Sequence, residues 1–310
     1  MDLEKFQNLP TDEVARLVRE AGPKVCVFPI NGTSRWFMLE HRPEAGNDFG
    51  KAYLSAIAKR YIEIFQLIFA HGVSTLLTPS FGPDLMEREV YNVSIAAEGL
   101  EWLATRSDFL DFYKAYGVRV RFYGDYRHAF DQTPYAHLPA LFDEISRQTM
   151  ANDQYRLFFG LFAHDATEAV AEIAVRFYRE KGHLPDKRHI VEVYYGEHVE
   201  TVDIFIGFDK FAAFDMPLVA TGNEDLYFSI APSPYITQTQ LRAILYDHLY
   251  TRRETEPNYL SMATDEWNMM REFYHANRDA ALGIGARQER GGYWYPLPQV
   301  NLPTNFMDRP

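Results

Sequence analysis

The chain has 310 residues, with 31 Lys and Arg against 43 Asp and Glu, a formal net charge of −12. That balance disfavours a general nucleic-acid or anionic-membrane binder, since both need a positive footprint. With 47% hydrophobic and 24% charged residues the composition is that of a globular chain rather than a disordered one. The one cysteine, Cys26, excludes an internal disulfide framework and a cysteine-rich zinc site, and its apolar setting Val25-Cys26-Val27-Phe28 is that of a small buried residue. Aromatic content is high at 15%, with 20 Tyr and 23 Phe, which fits either a large mixed core or an apolar cavity with polar tips. The start Met1-Asp2-Leu3-Glu4-Lys5 lacks the basic and apolar stretches of a signal peptide. No apolar run approaches the roughly 20 residues of a membrane span, so a soluble cytoplasmic protein is expected.

In chain order, 25–30 reads as a strand, and 52–71 places Ile57, Tyr61, Ile64, Phe65 and Ile68 on one helical face. A strand over 74–78 precedes a helical stretch over 84–115, broken near Arg106-Ser107-Asp108, and then a strand over 118–123. Next come a helix over 138–150, a strand over 157–162 and a helix over 165–181. Strands over 203–208 and 226–230, then helices over 237–251 and 265–279, complete the pattern. Such alternation predicts an α/β fold with a mostly parallel central sheet flanked by helices. One domain over 1–282 is expected, followed by a Gly/Pro-rich tail over 283–310.

Several signatures fail. Residues 46–52 resemble a P-loop but are one residue short, with Ala52 where Ser or Thr must hold magnesium. Gly283-Ile284-Gly285 lacks the third glycine and the leading strand of a dinucleotide fingerprint, and there is no GxSxG elbow. His164-Asp165 is a lone pair, and Asp108 and Asp111 read as a solvated helix start.

The informative stretch is Val25-Cys26-Val27-Phe28-Pro29-Ile30-Asn31-Gly32-Thr33-Ser34-Arg35-Trp36. An apolar strand ends in a small polar loop, then a basic residue and an aromatic. Ligands of open α/β sheets bind at the carboxyl ends of strands, and backbone N–H groups at a following helix start suit an anionic phosphate. Gly32 permits close backbone approach, and Arg35 can grip a diphosphate through its planar fork. The other reading of the same residues is an ordinary strand-to-helix turn.

Asn31-Gly32-Thr33-Ser34-Arg35-Trp36 resembles the Asp-Gly-Asn-Gly-Arg-Trp loop of the cis-prenyltransferases, including undecaprenyl diphosphate synthase. Residues 118–125, Asp203-Ile204-Phe205-Ile206 and Asp225-Leu226-Tyr227-Phe228 resemble later segments of that family. The run GPKVCVFPINGTSRWF, with FYGDY, YYGEHVE, DIFIGFDKF and ILYDHLY, resembles a divergent diterpene branch: the group of tuberculosinol synthase, or tuberculosinyl adenosine transferase, and kolavelool synthase. The resemblance spans about Leu3 to Tyr295.

Two departures matter. Chain-elongating members carry an arginine and serine clamp for isopentenyl diphosphate where this chain has Gly207-Phe208-Asp209. A second diphosphate would sit there unpaired, at a cost of several kcal/mol, so chain elongation is not expected and Phe208 becomes a candidate cavity wall. Asn31 stands where the family has Asp, which helps to hold magnesium. Asn can still ligate through its carbonyl but brings no charge. It is either a variation in which the metal is held differently or an inactivating substitution.

The resemblance implies a bicyclic diterpenyl diphosphate as substrate, of kolavenyl or tuberculosinyl type, and magnesium as cofactor, held by Asn31 and Asp225. Asn31, Tyr53 and Arg35 are the expected catalytic residues, and Gly32, Thr33, Ser34 and Arg35 the diphosphate cradle. Trp36, Tyr53, Tyr91 and Phe208 are candidate aromatic walls for the allylic cation, each contact typically worth about 0.5–2 kcal/mol. One positioned water then captures the cation to give a diterpene alcohol. Capture by adenosine, or a non-catalytic subunit role, are the competing expectations. The family also implies a homodimer.

Overall fold

Val25–Val27 (β1), Thr75–Phe81 (β2), Val118–Tyr123 (β3), Tyr155–Leu161 (β4), Ile204–Phe208 (β5) and Asp225–Ser229 (β6) form one all-parallel sheet in the computed structural model, in the order β3-β4-β2-β1-β5-β6. The structure describes residues 1–41, 49–82, 90–209, 211–252, 259–288, 290, 292–298 and 300–301, and the side chains of 90–92 lie outside that description. The expected α/β class with a parallel sheet and flanking helices is the class observed.

The first helices are α1 (Leu3–Gln7), α2 (Thr11–Glu20), α3 (Thr33–Glu40), α4 (Phe49–Ala70), α5 (Val90–Thr105) and α6 (Ser107–Tyr116). After them come α7 (Tyr126–Phe130), α8 (Leu138–Gln148), α9 (Thr167–Lys181), α10 (Lys187–Tyr195), α11 (Gln238–Tyr246) and α12 (Thr264–Asn277). The break expected near Arg106 falls between α5 and α6, where Arg106 takes an extended conformation as the N-cap of α6. The short helices α1, α2, α3, α7 and α10 lie in stretches that periodicity left unassigned, because five to ten residues hold too few turns to show a face.

The sheet is buried on both sides, as parallel sheets are. Cys26, Phe28, Leu76, Phe122, Leu157 and Phe159 join one core cluster, which takes in Phe65, Ile68 and Phe69 of α4. Val25, Val27, Leu77, Tyr123, Phe158 and Phe205 join the other, with Val191 and Tyr195 of α10. Neighbours along each strand thus go to opposite faces. Each large side chain removed from water contributes about 1.5–3 kcal/mol, and this double-sided burial absorbs much of the aromatic excess. Burial pushes the Cys26 thiol up, so it stays protonated.

The contacts divide the chain into two compact units, Met1–Leu249 and Tyr250–Pro310. The second contains α12 and an antiparallel ribbon of β7 (Gly285–Arg287) and β8 (Trp294–Pro296). A Cβ on Gly285 would come 2.2 Å from the Trp294 ring, so only glycine fits there. The ribbon occupies part of the stretch read as a Gly/Pro-rich tail. Among the described residues no helix is long and apolar enough to cross a membrane.

Candidate active site

β1 stops at Val27 because Pro29, two residues on, has no N–H to donate to a ladder. The chain then turns under control of Ser233, which is 1% exposed. The Ser233 hydroxyl donates to the Pro29 carbonyl (3.1 Å) and accepts from the Asn31 N–H (3.1 Å), while the Ser233 N–H donates to the Asn31 carbonyl (3.0 Å). Gly32 follows with φ +75°, the left-handed N-cap of α3. A Cβ there would lie 2.9 Å from both the Phe208 ring and Pro232. The amides of Thr33, Ser34 and Arg35 form the first turn of α3, whose donors have no partner within the helix. These N–H groups and the positive helix end, at the carboxyl end of β1, are of the kind that can hold an anion.

This loop forms one end of a cavity of about 900 Å³. Asn31, Gly32, Thr33, Ser34, Arg35 and Tyr53 all line it. So do Leu54, Ile57, Ala58 and Tyr61 of α4, Ile95, Ala96, Leu100 and Leu103 of α5, and Phe109 of α6. The α4 and α5 helices come close at Gly99, where a Cβ would meet Leu54 at 3.0 Å. A polar, amide-rich mouth therefore leads into an apolar interior. Tyr53 links the two, since its hydroxyl shares a 2.7 Å hydrogen bond with the Thr33 hydroxyl and its ring stacks on Phe49 at 5.9 Å. Burial, with Tyr53 nearby, pushes the Tyr61 phenol up, so it remains a neutral donor.

Other expected residues lie elsewhere. Trp36 does not appear in the cavity lining. It packs with Phe37 and Ile57 in a small separate core, edge-on to His41 at 4.9 Å. Phe208 is also outside the lining, and its ring carries the Arg35 guanidinium at 5.5 Å. It supports the exposed Arg35 rather than walling the cavity. Tyr91 begins α5, but its side chain lies outside the described residues.

Asp225 is not brought to Asn31. It opens β6 in register with Ile204, which pairs with Cys26, so it sits at the amino ends of the strands while Asn31 follows a carboxyl end. Its carboxylate bonds His248 Nδ1 at 2.6 Å. Among the described residues no group of three or more His, Cys, Asp or Glu could hold a metal ion. One neutral amide at Asn31 does not fit a magnesium site built by the protein alone, and the expected Asn31–Asp225 pair is not formed.

The structure adds residues that sequence reasoning missed: Ser80, Phe81, Trp102, Phe109, Phe214 and Asp215. Ser80 and Phe81 come from the end of β2, Trp102 from α5, Phe109 from α6, and Phe214 and Asp215 from the segment between β5 and β6, so no local spacing marks them.

Comparison with known proteins is consistent over nearly the whole chain. No family model matches it. It is 41% identical over 293 residues to a tuberculosinyl adenosine transferase of Mycobacterium tuberculosis, covering 94% of this chain and 97% of that protein. It is 23% identical over 292 residues to a (+)-kolavelool synthase of Herpetosiphon aurantiacus, covering 90% and 91%. Among solved structures it resembles lavandulyl diphosphate synthase from Lavandula x intermedia in complex with dimethylallyl diphosphate (TM-score 0.59, 13% identity, 74% of this chain and 97% of that one). A probable undecaprenyl diphosphate synthase from Campylobacter jejuni gives a TM-score of 0.53 at 15% identity, over 74% and 95%.

Proposed function

The chain belongs to the family of tuberculosinyl adenosine transferase, on the cis-prenyltransferase fold, and from that premise we propose that it is a diterpene synthase. It ionises a bicyclic diterpenyl diphosphate of kolavenyl or tuberculosinyl type and gives a diterpene alcohol plus diphosphate. The observation that carries this reading is the single cavity that joins the anion-binding turn at Gly32–Arg35 to an apolar interior between α4 and α5. Its volume lies within the roughly 300–1,000 Å³ of small-molecule sites.

The allylic C–O bond breaks and its electron pair leaves with the diphosphate. The amides of Thr33, Ser34 and Arg35 and the Arg35 guanidinium stabilise the charge that develops there, and fixed dipoles of this kind are the largest catalytic contribution in many enzymes. Tyr53 holds Thr33 in place and presents a ring to the cation. The apolar walls restrict bulk water, so one water captures the cation. The gap left by the elongation clamp, filled by Gly207-Phe208-Asp209, removes the anchor for a second diphosphate. A homodimer is proposed with this activity, and light scattering giving twice the chain mass would support it.

Capture by adenosine is the second reading, and the 41% identity to a transferase favours it. Incubation with tuberculosinyl and kolavenyl diphosphates, with and without adenosine and with and without magnesium, separates the two. Mass spectrometry of the extract is expected to show a diterpene alcohol. An adenosine adduct in place of the alcohol selects the transferase. Absence of diphosphate release from every substrate, unrelieved by Asn31→Asp, would leave the non-catalytic reading.

A further inference from the structure

We propose that Asp215 is a catalytic residue of this cavity, the carboxylate that accepts the proton released when water captures the diterpenyl cation. The inference rests on the reading that the cavity ionises an allylic diphosphate. Asp215 lines the same cavity as Asn31, Arg35 and Tyr53, and it is the one Asp or Glu among the described lining residues.

Its placement is enforced from three sides. The buried Tyr123 hydroxyl at the end of β3 donates to the Asp215 carbonyl (2.8 Å), and the buried Tyr195 hydroxyl at the end of α10 donates to the Pro217 carbonyl (2.7 Å). Two residues beyond, the Val202 N–H donates to the Val219 carbonyl (3.0 Å). Burial pushes both phenols up, so both remain donors. Tyr123 reaches this point across Gly160, where a Cβ would come 2.5 Å from its hydroxyl. Held in this way, Asp215 takes φ +56° and Leu218 φ +70°, a left-handed conformation that an aspartate tolerates and that is unfavourable for the leucine. Backbone strain of this kind persists where surrounding contacts over-determine it, and it clusters at functional sites. The segment spends strain to set Phe214 and Asp215 in the lining of a cavity that has a polar mouth and an apolar interior.

The chemistry needs such a group. After the C–O bond to diphosphate has broken, a water lone pair forms the new C–O bond and leaves an oxonium carrying one surplus proton. That proton passes to an Asp215 oxygen and returns to solvent as product leaves, restoring the carboxylate. Tyr53 serves the diphosphate side, where its hydroxyl shares a hydrogen bond with the Thr33 hydroxyl. Capture by an adenosine ring nitrogen that carries no hydrogen releases no proton, so it does not call on Asp215.

The test compares the wild-type chain with Asp215→Asn and Asp215→Glu on tuberculosinyl diphosphate, with and without adenosine. Asp215→Asn keeps the shape and the backbone bond from Tyr123. The expected result is an unchanged melting temperature, alcohol formation lowered about a hundredfold, any adenosine adduct retained, and partial recovery in Asp215→Glu. Alcohol formation within threefold of wild type overturns the proposal. So does a loss matched by a lower melting temperature, which makes Asp215 a loop anchor, or by a raised magnesium requirement, which makes it a metal ligand. If the wild-type chain itself releases no diphosphate, the parent reading fails and this one falls with it.

Discussion

The two ends of the sheet are built on opposite electrostatic plans. At the amino ends, polar and charged groups close on one another. Lys24 meets Asp203 (3.8 Å), Asp225 meets His248 (2.6 Å), and Arg119, Arg121 and Arg156 gather round Glu197 at 3.3, 3.2 and 3.7 Å. At the carboxyl ends, the polar groups of Asn31–Arg35 and Asp215 face a cavity. The difference is one of surroundings: the ion pairs named at the amino ends join strands and loops to one another, whereas these carboxyl-end groups line a space large enough for a ligand. Asp225 was expected at the carboxyl ends and belongs to the amino ones.

The largest effect is expected at the open end. Arg35→Ala removes a guanidinium that lies over the Phe208 ring, and should lower diphosphate release by about 10²–10³-fold. A melting curve close to wild type should accompany that loss. A stability loss in its place would make Arg35 a staple and dissolve the contrast.

At the closed end, Glu197→Ala leaves three guanidinium groups without their shared carboxylate. Arg121 is only 13% exposed in its side chain, and burial already pushes its pKa down against the pull of Glu197. Chemical denaturation should show a loss of about 2 kcal/mol, as for a partly buried charge deprived of its partner. Turnover below the melting range should stay at the wild-type value.

Gly32→Ala sharpens the boundary, since a Cβ at φ +75° must also displace Phe208 or Pro232. About 1–2 kcal/mol of stability should be lost, together with affinity for inorganic diphosphate measured by calorimetry. Undiminished diphosphate binding would show that the turn is not the anion site.

The smallest effect is one of pH. His71 is 1% exposed, bonds the Leu67 carbonyl through Nδ1 (2.7 Å) and accepts from Arg242 through Nε2 (3.2 Å). Burial pushes its pKa down from 6.5. Above pH 6.5 the ring is neutral in both states and the full stability is present. As pH falls below 6.5 the unfolded chain takes up a proton that the folded chain resists, so stability declines until the folded pKa is passed. His71→Leu should flatten the denaturant midpoint across that window.

The sheet order could not be read from the sequence, but its strands could, because Val, Ile, Leu and Phe run continuously where a strand is buried on both faces. The anion turn was legible for the same local reason: strand, proline, glycine and arginine lie within eleven residues, 25–35. Trp36 was placed by its nearness to that turn and Phe208 by its position where the elongation clamp is missing, but the first ring packs in a separate core and the second lies under Arg35. Asp215 lies in a segment without periodicity, and its position depends on Tyr123 and Tyr195, 92 and 22 residues or so away in the pairs they form. No local pattern records such bonds.

The central claim is that an allylic diphosphate binds with its charge on the α3 turn and its hydrocarbon between α4 and α5. A crystal structure with a non-ionising thio analogue of tuberculosinyl diphosphate tests it directly. The account predicts diphosphate oxygens within hydrogen-bond distance of the Thr33, Ser34 and Arg35 amides, and the carbon skeleton against Leu54, Ile57 and Leu100. Diphosphate on the Arg119, Arg121 and Arg156 cluster, or a hydrocarbon outside the cavity, would contradict it.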